Sequence, residues 1–230
     1  SLMATPRVFI VVPAYNERAD VLQTVLAALV ATGHGVVLVD DGSHWHLQPV
    51  VRHLPVHYLR HRCNLGQGAA LQTGTRYALQ QGADLIVHFD ADGQHTVADL
   101  QALLQPLQNG ACDVALGSRF LERENNYVPL AKRLLLQAAR YLNWMFTGLL
   151  LSDAHNGLRA MNRKAAAAIR LTENRMAHAT ELLFEIRRRQ LRWKEVPVHI
   201  AYTPYARQKG QSAFNSIRIF FDVLLHKLFS

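Results

Sequence analysis

Short runs of β-branched and aliphatic residues, each breaking off into an acidic or glycine-bearing turn, narrow the fold of this chain more than any other feature. Residues 8–13, 36–40, 56–60, 85–90 and 114–117 read as strands. Between them, Leu22, Val25, Leu26 and Leu29 fall at i, i+3, i+4 and i+7, as do Leu100, Leu103, Leu104 and Leu107, so each set makes one buried helical face. Alternating strands and helices predict an α/β fold, a mostly parallel central sheet flanked by helices. Pro106 is expected to kink or end the second helix.

The second half has a different texture. Residues 132–151 read as a strongly apolar helix, 177–189 as a helix closing on Arg187, Arg188 and Arg189, and 195–202 as a short strand. Residues 214–229 mix apolar side chains with Arg218, Asp222, His226 and Lys227. As an amphipathic C-terminal helix this segment either lies in a bilayer interface or packs on the core. With 230 residues, 50% of them hydrophobic, the chain can build one sizeable core and is expected to form a single domain over 1–230. Its longest strongly apolar stretch, 142–151, is about half of the roughly 20 residues a membrane-spanning helix needs, so none is expected. The first apolar run, 8–12, is too short for the core of a secretion signal. Cys63 and Cys112 are expected to be reduced, buried thiols of a cytoplasmic protein.

The formal charge of +8 is unevenly spread: residues 1–114 carry 6 Lys and Arg against 9 Asp and Glu, whereas 115–230 carry 19 against 8. The basic half should face an anion, whether a substrate phosphate, lipid head groups or nucleic acid. Nucleic acid is not expected, because no recognised binding-motif spacing occurs and the aromatics form no stacking platform.

In an open parallel sheet, ligands bind beyond the carboxyl ends of the strands. Here the first strand runs into Pro13-Ala14-Tyr15-Asn16-Glu17, the second into Asp40-Asp41-Gly42-Ser43, and the fourth into Asp90-Ala91-Asp92-Gly93-Gln94-His95. Alternate residues of an extended chain point the same way, so Asp90 and Asp92 would converge on one point. Two converging carboxylates call for a cation, and hard oxygen ligands suit Mg2+ or Mn2+ with positions left for diphosphate oxygens. Gln94 or His95 would complete or support that shell. The glycine-rich turn Asn64-Leu65-Gly66-Gln67-Gly68 opens a helix; it either offers backbone N–H groups to an anion or serves packing alone.

Seven motifs in order carry a resemblance: Val12 to Glu17, Val39 to Ser43, Asn64 to Gly68, Asp90 to Gln94, Gly117-Ser118-Arg119-Phe120, Asp153 to Arg159, and Arg207-x-x-Gly210-x-Ser212. With them the chain resembles the family 2 glycosyltransferases of the GT-A fold, above all the dolichyl- and polyprenyl-phosphate mannosyl- and glucosyltransferases. The resemblance implies a nucleotide-sugar half over 1–117 and an acceptor half over 118–230. It implies that Pro13, Ala14, Tyr15 and Glu17 line the nucleotide site, with Asp40 reading the base or ribose, Asp41 supporting it and Gly68 on the sugar-nucleotide side. Asp90, Asp92 and Gln94 would hold the metal and diphosphate, Arg119 would meet the lipid phosphate, Arg159 would support that phosphate site or a nearby carboxylate, and Arg207 would close over the donor diphosphate. The family often has a lysine after the serine of the Arg207 loop; here Ala213 stands there, and Lys209 would substitute.

The implied reaction is inverting transfer of a hexose from a GDP- or UDP-sugar to a polyprenyl phosphate, with Asp92, Arg119 and Arg159 as the catalytic set. A phosphate acceptor is already ionised and needs no base, whereas a sugar hydroxyl would need one, with Asp153, Glu181 and His178 available. The resemblance further implies a peripheral position on the cytoplasmic face of the membrane, with an integral-membrane protein as a possible partner.

Overall fold

The computed structural model describes residues 5–121, 134, 137–138, 140–141, 144–145, 148–153, 156–172, 177–201 and 203–205. Seven strands form one sheet: β1 (Val8–Ala14), β2 (Gly35–Asp40), β3 (His57–Arg60), β4 (Leu85–His88), β5 (Val114–Ser118), β6 (Arg159–Asn162) and β7 (Trp193–Pro197). Their order across the sheet is β3-β2-β1-β4-β6-β5-β7. β1 pairs in parallel with β2 and β4, β2 with β3, and β5 with β7. β6 alone runs backwards, antiparallel to both β4 and β5.

β1 is buried at every position because the sheet is covered on both faces, as parallel strands require. Its alternate residues enter two separate cores. Val8, Ile10, Val12 and Ala14 meet Leu22, Val25, Leu26 and Leu29 of α1 (Ala19–Val30), and the same core takes Leu100, Leu103, Leu104 and Leu107 of α4 (Asp99–Gln108). Val51 of α2 (Gln48–Val51) joins them. Phe9 and Val11 face the other way, onto α3 (Gln67–Gln80), α5 (Arg163–Ala168) and α6 (Ala177–Arg188) through Leu71, Ala165 and Leu182. Both helical faces read from the sequence are therefore buried as expected, each Leu contributing about 1.5–3 kcal/mol through removal from water.

Several boundaries differ from the sequence reading. α4 continues through Pro106 to Gln108, since a proline in the last turn removes a single N–H; its carbonyl then accepts from Ala111 and Cys112 at 2.8 and 3.2 Å. The last strand begins at Trp193 and stops at Pro197, not Tyr202. Beyond it the His199 N–H is taken by the Asp99 carboxylate at 2.8 Å instead of a neighbouring strand. β6 has no counterpart among the strands read from the sequence: only its first residue, Arg159, belongs to a motif, and 160–162 carry no strand pattern. Within 132–151 the described residues are helical from 134 to 145, and the chain has left the helix by Gly148. Cys112 is buried as expected, but Cys63 is exposed. Residues 206–230, with Arg207, Lys209, Ala213 and the 214–229 segment, lie outside the described residues.

Candidate active site

Strand order reverses direction at β1, with β2 and β3 to one side and β4 to the other, which makes the β1/β4 carboxyl ends the switch point. Three loops meet there. Pro13 and Ala14 are still strand residues, and the Ala14 carbonyl accepts the Asp41 N–H at 2.8 Å. Asn16 then adopts φ +53, a left-handed conformation that asparagine tolerates. Its N–H donates to Ser43 Oγ at 3.0 Å and its side-chain oxygen accepts the His44 N–H at 2.9 Å, so the first loop is keyed to the second. Tyr15 is 38% exposed beside His44, and Glu17 is buried.

The paired aspartates after β2 hold this region together. Asp40 is fully buried, accepting from the Ser43 N–H at 3.0 Å and the Tyr58 hydroxyl at 2.7 Å, with Arg60 Nε 3.7 Å away. Burial, followed by the Asp40 hydrogen bond, pushes Tyr58 up to about 12, so it remains a donor. Asp41 receives His61 Nδ1 at 2.6 Å, Asn64 Nδ2 at 3.0 Å and the Leu65 and Gly66 N–H groups at 3.0 and 2.8 Å. That shell anchors the turn into α3 and with it Gly68, a buried residue of its first turn. Gly42, at φ +70, lies so close to Cys63 that an added Cβ would stand 2.4 Å from its carbonyl carbon.

After β4, Asp90 keeps a partly exposed carboxylate, 28% accessible, bound by His95 Nε2 at 3.0 Å and by Gln67 Nε2 at 3.2 Å. Burial alone would raise its pKa, but the His95 hydrogen bond and the charges of His95, Arg159 and His178 outweigh that and bring it to about 2. Asp92 accepts the Gln94 N–H at 3.0 Å, closing the turn. Gly157 packs directly on Asp90: a Cβ there would stand 2.3 Å from Asp90 Oδ2. Two positions on from it, Arg159 is 2% exposed in β6, and its Nε makes no hydrogen bond. Burial lowers Arg159 to about 10 while the Asp90 charge works in the opposite sense. The neighbouring buried His88 donates to or accepts from Thr75 Oγ1 at 2.9 Å and is held well below 6.5 by burial and then by the Arg159 charge.

After β5, Arg119 is bound to Asp153 through Nε at 2.7 Å and Nη2 at 2.8 Å, and its N–H reaches the same carboxylate at 3.1 Å. Asp153 is in turn below the ordinary carboxylate range: burial opposes this, but the Arg119 charge and hydrogen bonds prevail. Glu195 of β7 accepts the Ser152 N–H at 2.7 Å and its hydroxyl at 2.9 Å, fixing the loop that carries Asp153. Glu181 is engaged by Thr172, whose N–H and hydroxyl donate to it at 2.9 and 2.7 Å.

The structure thus gathers Tyr15, Glu17, Asp40, Asp41, Gly68, Asp90, Asp92 and Gln94 at one end of the sheet, and it sets Arg159 beneath Asp90. Gln67, Tyr58, Gly157 and Tyr205 join them without having been singled out. Gln67 and Gly157 sat inside quoted motifs, so their signal was present; Tyr58 carries none, since an aromatic in a strand reads as packing.

The sequence pattern described as Glycosyl transferase family 2 matches residues 9–170, well over half of the chain. The chain belongs to this family. Among curated relatives of this family 2 glycosyltransferase, an uncharacterised protein of Methanocaldococcus jannaschii is 33% identical over 96% of the chain and 93% of its own length. The UDP-N-acetylglucosamine–dolichyl-phosphate N-acetylglucosaminyltransferase of Methanococcus voltae is 28% identical over 98% of both. An undecaprenyl-phosphate mannosyltransferase of Micrococcus luteus is 28% identical over 90% of the chain and 86% of its own. Among solved structures, glucosyl-3-phosphoglycerate synthase of Mycobacterium tuberculosis, in complex with Mn2+ and UDP-glucose, superposes with TM-score 0.63 at 17% identity, over 93% of the chain and 77% of that protein. The GT-A architecture expected from the resemblance is the one observed.

Proposed function

We propose that this family 2 glycosyltransferase moves a hexose from a GDP- or UDP-sugar to a polyprenyl phosphate, with inversion at the anomeric carbon. The observation that carries the acceptor class is the state, among the described residues, of the three candidate bases read from the sequence. Asp153 is locked in an ion pair with Arg119, Glu181 is taken by Thr172, and His178 is buried. A hydroxyl acceptor would need one of them at its proton. A phosphate oxygen is already ionised and attacks directly, forming its bond to the sugar as the bond to the diphosphate breaks. The named relatives that act on dolichyl or undecaprenyl phosphate support the same acceptor.

The residues after β4 fit a divalent cation, Mg2+ or Mn2+. Asp90 is ionised at neutral pH, Asp92 is oriented by the Gln94 N–H, and both offer hard oxygens. Among the described residues no three His, Cys, Asp or Glu side chains group closely enough to form a complete shell, so the remaining ligands would be diphosphate oxygens and water. When bound, the ion neutralises charge on the leaving diphosphate. Asp90, held by His95 and Gln67, keeps the turn in place, and Arg159 supplies a buried countercharge beneath it. Tyr15, Glu17, Asp40, Asp41 and Gly68 form the donor side, with Arg207 and Lys209 assigned to the diphosphate. Arg119, fixed by Asp153, presents positive charge to the acceptor phosphate, so orientation and charge stabilisation supply the acceleration.

The acceptor also implies a membrane surface. Among the described residues no helix is long and apolar enough to cross a membrane. Leu134, Tyr141 and Met145 nevertheless stand exposed at i, i+7 and i+11, with Trp144 and Phe184 exposed as well. Such a face, in the basic half, suits peripheral contact with anionic lipid on the cytoplasmic side, where an integral-membrane partner would receive the product. The test is incubation with labelled GDP-mannose, UDP-glucose or UDP-N-acetylglucosamine, Mn2+ and polyprenyl phosphate in anionic vesicles. Label in an organic-extractable, acid-labile product is expected; label confined to water-soluble or polymeric product would overturn the acceptor.

A further inference from the structure

After β7 the chain crosses from the acceptor half to the donor side, and the described residues 198–201 and 203–205 touch both banks of the switch point. Ile200 forms an antiparallel bridge with His95, and the Ala201 N–H donates to the Gln94 carbonyl at 2.8 Å. These contacts sew the strap to the Asp90–Gln94 turn. At its far end the Tyr205 hydroxyl donates to Glu17 Oε2 at 2.7 Å and accepts from the Arg18 N–H at 3.5 Å. The Arg18 guanidinium lies over the Tyr205 ring, 5.3 Å from its centroid. Glu17 is 3% exposed, so its carboxylate depends on protein donors for the solvation water would otherwise give.

We propose that Tyr205 is a positioning residue of the donor site: by holding the Glu17 carboxylate it fixes the loop after β1 relative to the turn after β4. The inference rests on the donor-binding reading given above. β1 and β4 pair only as far as Val11 and His88, so the ladder between them stops short of both loops. The strap reaches past the strand ends and joins them. Burial, and then the Glu17 hydrogen bond, push the Tyr205 hydroxyl up to about 12, so it stays a donor throughout the neutral range. Removing that hydroxyl leaves Glu17 short of a partner and frees the loop to shift, which weakens a ligand spanning both loops more than it slows a ligand already bound.

The experiment measures UDP and GDP binding to the full chain by calorimetry with Mn2+, together with donor KM and kcat. The variants are Tyr205→Phe, Glu17→Gln, Glu17→Leu and the double Tyr205→Phe/Glu17→Leu. Tyr205→Phe should weaken nucleotide binding and raise donor KM by about 5- to 20-fold, a range typical of one buried hydrogen bond, with kcat within about twofold and little change in Tm. Glu17→Gln keeps an oxygen acceptor for Tyr205 while removing the charge, so it should weaken binding less than Glu17→Leu does. The double variant should bind no more weakly than Glu17→Leu, because the hydroxyl acts through that carboxylate. Parent-like binding by Tyr205→Phe, or losses that multiply in the double variant, would overturn the inference alone. If the parent chain binds neither nucleotide, the donor reading falls and takes the inference with it.

Discussion

The two halves of this molecule neutralise buried charge in opposite ways. On the proposed donor side, Asp40 and Asp41 are surrounded mainly by backbone N–H groups, the Tyr58 hydroxyl, the Asn64 amide and the His61 ring, with Arg60 as the cation 3.7 Å from Asp40. On the acceptor side, Asp153 meets a full cation, Arg119, through two side-chain bonds. Amide and hydroxyl donors fix geometry without adding a charge of their own. An ion pair cancels charge locally and binds two elements that are 34 residues apart in the chain. The donor side is therefore built for shape and the acceptor side for charge balance, and each should fail in its own way.

The largest effect is expected at Asp92→Ala, where turnover should fall by about 100-fold or more while the fold survives, as the loss of a Lewis-acid ligand implies. Turnover at varied Mn2+ with circular dichroism checks it, and retained activity would remove the metal assignment. Asp153→Ala should instead strike stability, by about 3–5 kcal/mol, because it breaks an ion pair whose carboxylate is fully buried and whose Arg119 side chain is only 12% exposed. Denaturant unfolding measures this; a loss below about 1 kcal/mol would erase the contrast between the halves. Gly157→Ala lies between the two, since a methyl 2.3 Å from Asp90 Oδ2 must displace the carboxylate. It should cost about 1–3 kcal/mol from overpacking and lower turnover at least about tenfold. Tyr58→Phe should cost about 1 kcal/mol and alter the affinity for the nucleotide without touching the acceptor KM.

Acid titration sharpens the comparison further. Asp90 is lowered from 3.8 to about 2, and Asp153 is lowered too, so both bind protons more readily in the unfolded chain. Their stabilisation is fully present above about pH 4 and is lost as pH falls toward 2. Tm should be flat in this respect from neutrality to about pH 4 and then drop, and Asp90→Asn should flatten part of the drop.

What could be read in advance followed from local pattern. The apolar runs and the two leucine faces gave five strands and two helices, because burial on both faces of a parallel sheet leaves a continuous hydrophobic signature. β6 escaped because Arg159-Ala160-Met161-Asn162 has no such signature; it is a strand only because β4 and β5 stand on either side of it. At the site, carboxylates and glycines in motifs were legible, while their partners were not. Arg159, read as support for the acceptor phosphate or a nearby carboxylate, is buried with the Asp90 charge acting on it, a placement set by the register of β6 against His88. Tyr205 and Glu17 are 188 positions apart, and no periodicity reports a pairing at that range.

The reversed strand has a consequence for how such a protein can diversify. Because β6 slots between β4 and β5, the connection from Ser118 to Arg159 is an excursion in sequence that begins and ends at fixed seats in the sheet. The seat is welded on both edges, so the length and makeup of the excursion can change without disturbing strand pairing elsewhere. Residues can thus be exchanged within one interchangeable cassette while the pairing of β1 with β2 and β4 stays as it is.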